Sequence, residues 1–254
     1  MKRIRKIFLY NFISFCLVVG IWELMDLCLN FFTQEKTLFP SFLQVSKVLF
    51  SFVQSKSFWI DVGVSFMRVL IGFICGSFLG LIFGIFTTTF SLTNKLLSPI
   101  FNSLRSYPPI ALLPLVLIIF GINECSKIIL ILYGAFFPVW LSCHIGFNNV
   151  SINYLKTAHI LGLRKFRLFL LVKLPSSLPT VVSGLRTGLG ISFFCLVAAE
   201  MAGANSGVFY KINLSYTFLK IDEMVAGLVV LGFMCVLSDF LLRYLFIYFF
   251  KWMR

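Results

Sequence analysis

The titratable and nucleophilic residues of this chain are spread too thinly for a catalytic or metal centre. The P-loop pattern G-x-x-x-x-G-K-[ST] is absent, as are H-E-x-x-H and G-x-S-x-G. His144 and His159, the two histidines, have no group of carboxylates beside them. The seven cysteines form no C-x-x-C pair, which argues against a zinc site or a disulfide framework. We therefore expect no catalytic residue, no metal and no cofactor bound by this chain.

One polar stretch, residues 148–186, is the strongest chemical feature that the sequence contains. It lies between apolar segments, has no Asp or Glu, and carries six basic residues: Lys156, Arg164, Lys165, Arg167, Lys173 and Arg186. Lys and Arg are concentrated in the cytoplasmic loops of membrane proteins. The stretch should therefore lie on the cytoplasmic side of a membrane.

The interior of this stretch predicts a helix–turn–helix. Gly162 follows one short helical run and can take a left-handed turn, and Pro175 should stop a second, amphipathic run. Apolar residues lie among the charges: Leu155, Ala158, Leu161, Phe166, Phe169 and Leu170. A loop of this composition at a membrane surface is suited to docking a partner.

The composition identifies the elements that must position this loop as membrane-spanning helices. Of 254 residues, 59% are apolar, whereas soluble domains have about 45–50%. The mean hydropathy is +0.98, and apolar runs of about 20 residues are long enough to span a bilayer as helices. The formal charge of +13 is explained by the excess of Lys and Arg on the cytoplasmic side, so we expect no nucleic acid partner.

The apolar runs predict six spans with both termini in the cytoplasm. The spans are expected at about 1–32, 62–90, 99–121, 128–147, 181–201 and 224–250. The basic N-terminal residues (Lys2, Arg3, Arg5, Lys6) and the C-terminal anchor (Lys251, Trp252, Arg254) set this orientation. Residues 44–54 are expected to form an interfacial helix, residues 91–97 and 122–127 to form short turns, and residues 202–223 to form an external loop.

Two spans have unusual residue patterns. Gly72, Gly76, Gly80 and Gly84 recur every four residues and should lie on one helix face, where they let another backbone approach closely. Packing is the favoured interpretation, and a pore-lining face is the alternative. The third span contains Pro108, Pro109 and Pro114, which should kink or partly unwind it. Broken helices often line transporter sites, although a kink also serves packing alone.

Glu200 is the charge with the most open interpretation. It follows an apolar run and lies among small residues near the outer membrane boundary. One interpretation is a gating or pathway residue, because intramembrane carboxylates are commonly functional. The other is a helix-end carboxylate paired with a neighbouring span.

The spacing of Ala158, Gly162 and the run Val172-Lys-Leu174-Pro175 resembles the EAA loop of ABC importer permeases. In that family the loop is a cytoplasmic coupling helix that docks on a separate ATPase subunit. The matching positions, which the resemblance makes the ATPase-coupling loop, are Lys156, Thr157, Ala158, Gly162, Leu174 and Pro175. Lys156 stands where the family usually has Glu, and an ATPase with a compensating acidic residue would reconcile this departure.

Further motifs resemble the nitrate/sulfonate/taurine branch of the same family and follow its order over nearly the whole chain. They include Phe39-Pro-Ser41, Arg68-Val-Leu-Ile-Gly72-Phe, Arg105-Ser-Tyr-Pro-Pro-Ile-Ala-Leu-Leu-Pro114, Gly134-Ala-Phe-Phe-Pro138, Gly184-Leu-Arg186 and Ala199-Glu200-Met201. Phe42 replaces the second proline that the branch usually has in the early loop.

The resemblance implies an all-α permease of the type I ABC importer architecture. Residues 1–254 would form one domain with a membrane core at about 62–250 and a cytoplasmic coupling loop at about 148–183, between spans 4 and 5. The implied partners are ABC ATPase subunits that use ATP, an extracytoplasmic solute-binding protein and a second permease copy, in a bacterial inner membrane. The candidate pathway or gating residues are Glu200, Arg105, Pro108 and Pro109.

Two other functions remain as alternatives. A secondary transporter or channel would need no ATPase, but it would favour carboxylates deep in the spans and an inverted repeat. Most acidic residues here fall near helix ends or in loops, and no repeat is evident. A membrane-embedded enzyme would need a clustered catalytic constellation, which the sequence lacks.

Overall fold

A computed structural model describes residues 13–14, 16–28, 39–163 and 165–250 of the chain, and no β-strand occurs in them. The helices, in chain order, are α1 (16–28), α2 (Phe42–Gln54), α3 (Lys56–Thr89), α4 (Ser91–Leu104), α5 (Leu113–Phe120), α6 (Glu124–Asn148), α7 (Ile152–Ile160), α8 (Lys165–Leu168), α9 (Leu174–Met201), α10 (Val208–Thr217) and α11 (Ile221–Phe249). A 3-10 turn at Pro109–Leu112 precedes α5, and a π-helix at Phe169–Lys173 joins α8 to α9.

Four segments of the described chain are long and apolar enough to cross a membrane: Lys56–Thr89, Glu124–Asn148, Phe166–Met201 and Ile221–Tyr248. A fifth is possible if α4 and the Pro109–Phe120 segment, which are bent by 89°, count as one broken span. The first predicted span lies partly outside the described residues, of which 16–28 are helical. The basic N-terminal residues, Arg164 and the C-terminal anchor also lie outside them.

The chain divides into two compact units, and the first comprises Met1–Val62 and Ser206–Gly232. Its described core packs Val45 of α2 against Val225 and Ala226 of α11. Ser41 begins α2 with a capping box that includes Gln44, so two backbone donors at that helix end are satisfied. The carboxylate of Asp61 accepts a hydrogen bond from the Gly207 backbone N–H and pairs with Lys211, at 2.8 Å each, which fixes the start of α10.

The second unit comprises Gly63–Asn205 and Phe233–Arg254, and a glycine seam joins its helices α3 and α6. A Cβ added at Gly72 would lie 2.6 Å from Ile131 Cγ2, and one at Gly80 would lie 2.7 Å from the Phe136 carbonyl oxygen. Gly76 and Gly84 meet the Leu132 oxygen and Cys143 in the same way. The structure therefore places all four glycines of the stripe where the backbone of α3 touches α6.

A second seam joins α6 to α9. A Cβ at Gly184 would overlap Ser142, and one at Gly188 would come within 3.2 Å of the Ala135 carbonyl oxygen. From the α6 side of the same seam, a Cβ added at Gly134 would approach Ile191 Cγ2 of α9 at 3.1 Å. The central helix α6 is consequently buried on two faces, with Leu130, Ile131 and Trp140 almost completely enclosed.

The structure corrects three local predictions. Residues 91–97, predicted as a turn, are helical and belong to α4. The turn predicted at 122–127 ends early, because Asn123 caps α6 with a capping box that includes Ser126. The loop predicted at 202–223 contains α10, whose apolar residues Val208 and Ile212 are buried in the first unit. For α10, burial against other elements favours helix where local polarity indicated a loop.

Pro175 does not stop the second helix of the predicted helix–turn–helix, and this prediction was wrong. The helical path runs from Lys165 through the π-helix into α9, with Pro175 in the first turn of α9. The Leu174 N–H bonds to the Phe169 carbonyl, five residues back. A π-turn placed before the proline lets the chain stay helical although Pro175 has no N–H to donate. Residues 174–180 are therefore helical and continuous with the predicted fifth span, 181–201.

Candidate functional site

A sharp break of 89° lies in the predicted third span, between α4 and the Pro109–Phe120 segment. The helix α4 ends at Leu104, and the chain turns through Ser106–Pro108 before the 3-10 turn begins at Pro109. Pro108 is extended, with φ −60° and ψ 128°, and neither proline can donate a backbone hydrogen bond. The Tyr133 hydroxyl of α6 donates to the Leu104 carbonyl at 2.7 Å and so satisfies the broken helix end.

A cavity of about 570 Å³ lies at this break, within the second unit. Its polar lining residues are Arg105, Ser106, Tyr107, Tyr133, Ser142 and Thr187, and none of its lining residues is acidic. Of the predicted pathway residues, Arg105 and Pro109 line the cavity, whereas Pro108 and Glu200 do not. The Arg105 guanidinium is exposed. Within the described chain, no residue accepts a hydrogen bond from it and none forms an ion pair with it. The cavity thus offers a cation and several hydroxyl groups to a small solute.

Glu200 lies instead in a buried ion-pair cluster that joins three helices. Arg68 of α3 donates from Nη1 to Glu200 Oε1 at 2.8 Å, and Ser65 donates to the same oxygen at 2.6 Å. The same guanidinium makes a bidentate pair with Glu124 at the start of α6, at 2.6 and 2.7 Å. Lys127 Nζ lies 2.8 Å from Glu124 Oε1. Two cations and two carboxylates therefore balance in charge.

This arrangement is the one expected if Glu200 is a carboxylate paired with a neighbouring span. Glu200 and Arg68 are 1% and 3% exposed, so their mutual compensation is needed to keep both charged in the interior. Sequence reasoning did not find the cluster. The available signal was that Arg68 and Glu200 each interrupt an apolar run, but nothing local identifies which charges pair.

The basic loop between α6 and α9 has a well-defined turn. Gly162 adopts φ +76°, the Leu163 N–H bonds to the Ala158 carbonyl, and the Gly162 N–H bonds to the His159 carbonyl, at 3.0 Å each. These are the two hydrogen bonds of a Schellman motif, which closes the C-terminus of α7. A glycine is favoured at this position because an L side chain is strained at positive φ.

An open groove of about 720 Å³ runs along this loop. Of the predicted coupling residues, Thr157, Ala158 and Pro175 line the groove, while Lys156 is exposed on α7 and Leu174 is partly buried. Ile160, Leu161 and Phe166 expose 85%, 72% and 70% of their surface. Several large apolar side chains left exposed on one loop are typical of a docking surface.

In the part of the chain that the structure describes, no three His, Cys, Asp or Glu side chains are grouped so that they could hold a metal ion. The described cysteines are all free, and Cys143 and Cys195 are buried in the helix seams.

Comparisons with known proteins agree with the architecture. Residues 76–254 match the family described as "Binding-protein-dependent transport system inner membrane component". A Bacillus subtilis permease protein assigned to aliphatic sulfonate transport, SsuC, is 30% identical over 90% of this chain and 82% of its own length. The taurine transport system permease protein TauC of Escherichia coli is 34% identical over 73% of this chain and 67% of its own.

A solved structure shares the fold. A chain of the MetNI methionine ABC transporter, in an inward-facing conformation, superimposes with a TM-score of 0.62. The match covers 73% of this chain and 92% of the other, at 20% sequence identity. The family match and the relatives define a transport component rather than an enzyme. This chain therefore belongs to the family of binding-protein-dependent transport system inner membrane components, the permease subunits of ABC importers.

Proposed function

We propose that two copies of this chain form the pathway of an importer for a small anion, with a sulfonate, taurine or nitrate as the solute class and a thiamine-precursor-like molecule as the alternative. Each copy is one domain, residues 1–254, that crosses the inner membrane six times with both termini in the cytoplasm. Two ATPase subunits use ATP on behalf of the complex, and this chain binds no cofactor. The names of SsuC and TauC support the solute class.

The cavity at the broken span carries this proposal. Its size falls within the range of about 300–1,000 Å³ that is usual for small-molecule sites. Polar groups within membrane spans are costly unless they face water or other protein groups, yet hydroxyl side chains from two helices and Arg105 converge here. Because no acidic residue lines the cavity, Arg105 gives it a positive charge that favours an anion. Pro108 and Pro109 serve by keeping this part of the span unwound.

The loop from α7 to α9 is the proposed contact with the ATPase. Its exposed apolar side chains and groove offer a surface, and Lys156, Arg167 and Lys173 add positive charge to the same stretch of chain. Lys156 should select an ATPase with an acidic residue opposite. If Lys156→Glu raised solute-stimulated ATP hydrolysis with the cognate ATPase, this charge assignment would be wrong.

The proposed mechanism is alternating access. Closure of the ATPase dimer pushes on the two coupling loops and changes the spans from inward-facing to outward-facing, where the solute-binding protein delivers the solute. ATP can drive this change only if the ATPase contacts the loop differently in the two conformations. The rigid Schellman turn at Gly162 is the element that transmits the push.

Uptake into proteoliposomes tests the proposed function. The chain is purified with its cognate ATPase, reconstituted in lipid, and supplied with its binding protein and radiolabelled taurine or nitrate. We expect accumulation that requires both ATP and the binding protein and that is lost when the P-loop lysine of the ATPase is replaced. Uptake that continues without ATP would instead indicate a secondary carrier.

Replacing Gly162 with Pro is expected to uncouple the complex. Proline fixes φ near −65° and has no N–H, so the turn at φ +76° and its bond to the His159 carbonyl are both lost. We expect solute-stimulated ATP hydrolysis to fall at least about tenfold, because small displacements of an acting group cost one to two orders of magnitude. Gly232→Ala, at a position with open space, is the control. Unchanged stimulation in Gly162→Pro would show that the turn transmits nothing.

A further inference from the structure

An exposed ion pair lies within two membrane spans, at a place that the cavity and the coupling loop do not explain. Arg186 of α9 donates from Nε and Nη2 to the two carboxylate oxygens of Asp239 in α11, at 2.7 Å each. Both side chains remain accessible, with 44% of Arg186 and 37% of Asp239 exposed. This differs from the Arg68–Glu200 pair, which the protein encloses.

The depth of the pair makes lipid an unsuitable neighbour. Arg186 lies seven residues beyond Pro179, which lines the groove of the loop, and 15 residues before Met201 at the end of α9. At 1.5 Å per residue it is about 10 Å from the groove and about 22 Å from that end. Charged residues within a span almost always face the interior of a bundle or a water-filled cavity. Since the described chain leaves the pair uncovered, this face of the second unit is expected to border water or protein.

The pair belongs to a polar stripe on the exposed face of α9, which continues to the exposed Phe194. Ser183, Arg186, Thr187 and Gly190 share one face of α9, because 186 and 187 each lie three or four residues from 183 and from 190. None of the four is fully buried. Gly190 has open space where a Cβ would stand. Thr187 also lines the cavity that contains Arg105. The stripe and the cavity therefore share a wall.

The bidentate pair leaves part of the guanidinium available. Asp239 occupies the Nε/Nη2 edge, and no residue in the described parts of the chain accepts a hydrogen bond from Nη1. Guanidinium has five N–H donors in a rigid fork, so the second edge can hold a carboxylate or sulfonate in the same bidentate manner. Arg243 lies one helical turn beyond Asp239, so the three charges sum to +1 and favour a single anion.

We propose that Arg186 is an anion-contacting, specificity-determining residue of the solute pathway and that Asp239 is its positioning residue, holding one guanidinium edge so that the other faces a passing sulfonate or carboxylate. This inference rests on the proposed function, because it places the site in the pathway of the importer. Arg186 would be a second cation of the pathway, in addition to Arg105.

Thiol labelling tests the site without knowledge of the natural solute. Thr187→Cys is introduced into the full chain, with its exposed cysteines (Cys16, Cys28, Cys75, Cys125) replaced by Ser. The complex with the cognate ATPase is then treated in lipid with a sulfonate-bearing and a trimethylammonium-bearing methanethiosulfonate. The readout is the ratio of the two labelling rates. Leu237→Cys is the control, because Leu237 is 43% exposed and, two residues before Asp239, lies on the other face of α11.

We expect rapid labelling of Thr187→Cys, a preference for the sulfonate reagent and little labelling of Leu237→Cys. Arg186→Gln should lower the anion preference by about tenfold, since local fields change the encounter rates of charged reactants by about 10- to 1,000-fold. Asp239→Asn should raise it, because a negative charge is removed while Arg186 remains. If the pair were purely structural, Arg186→Gln and Asp239→Asn would not change the ratio of labelling rates in opposite directions.

Other outcomes overturn the proposal. If Thr187→Cys resists both reagents, lipid or a second copy covers the face. If Thr187→Cys is labelled but neither Arg186→Gln nor Asp239→Asn changes the ratio of labelling rates, the face borders water without being an anion site. The expected labelling without ATP-dependent uptake would support the site and reject the proposed function. If taurine uptake depends on ATP but neither substitution changes the ratio of labelling rates, the proposed function is supported and the anion site is rejected.

Discussion

Arg68→Gln is expected to destabilise the bundle of α3, α6 and α9 by about 3–5 kcal/mol, the usual cost of removing one partner from a buried ion pair. Glu200, 1% exposed, would lose its contact with the guanidinium, and α3 would lose its ionic link to both α6 and α9. The effect should appear as a large fall in the thermal unfolding temperature of the protein in lipid nanodiscs.

Arg105→Gln is the matched control, because the same change is made at an exposed arginine with no ion pair to a described residue. Glu200→Gln should resemble Arg68→Gln. Glu124→Gln should cost less, since 57% of the Glu124 side chain is exposed and solvent screens its pairs. If Arg68→Gln unfolds at the same temperature as Arg105→Gln, the cluster does not hold the three helices together.

A double variant separates charge pairing from loss of packing. Arg68→Met combined with Glu200→Leu removes both enclosed charges, and apolar replacements of buried pairs are often neutral or stabilising. Glu124 would keep Lys127 as a partner. We expect the double variant to be more stable than the summed effects of Arg68→Met alone and Glu200→Leu alone predict. Such non-additivity is the sign of a direct interaction.

Gly76→Ala is expected to destabilise the α3–α6 seam by about 1–3 kcal/mol, the cost of overpacking a well-filled contact. The added Cβ would overlap the Leu132 carbonyl oxygen and approach the Ala135 Cβ at 2.9 Å. Because the first obstacle is backbone, no side-chain rotation can relieve it and the two helices must separate. The expected readouts are lower unfolding temperature and lower yield of folded protein.

Gly63→Ala is the control in the same helix, because nothing lies within 4 Å of its added Cβ. It should be neutral or stabilising by up to about 1 kcal/mol, since alanine favours helix more than glycine does. Equal unfolding temperatures for Gly76→Ala and Gly63→Ala would mean that the close approach of α3 to α6 contributes nothing.

Arg186 shows what local patterns leave open. It ends the predicted basic stretch and also falls in the predicted fifth span, and the structure has it in α9. The compensating Asp239 lies 53 positions away on another helix. Hydropathy adds contributions along the chain and counts each charge as unpaired, so it cannot recognise a pair formed across helices.

The sequence by itself determined the helical membrane class, the break at Pro108–Pro109, the turn residue Gly162 and the glycine stripe of α3, since each depends on backbone sterics, local spacing or residue polarity. The ordered motifs also identified the family. Only the tertiary structure decided that Glu200 pairs with Arg68, that Arg105 shares a cavity wall with Thr187, and that Arg186 meets Asp239. These pairings depend on which helix faces which, and that choice is made by packing between residues far apart in the chain.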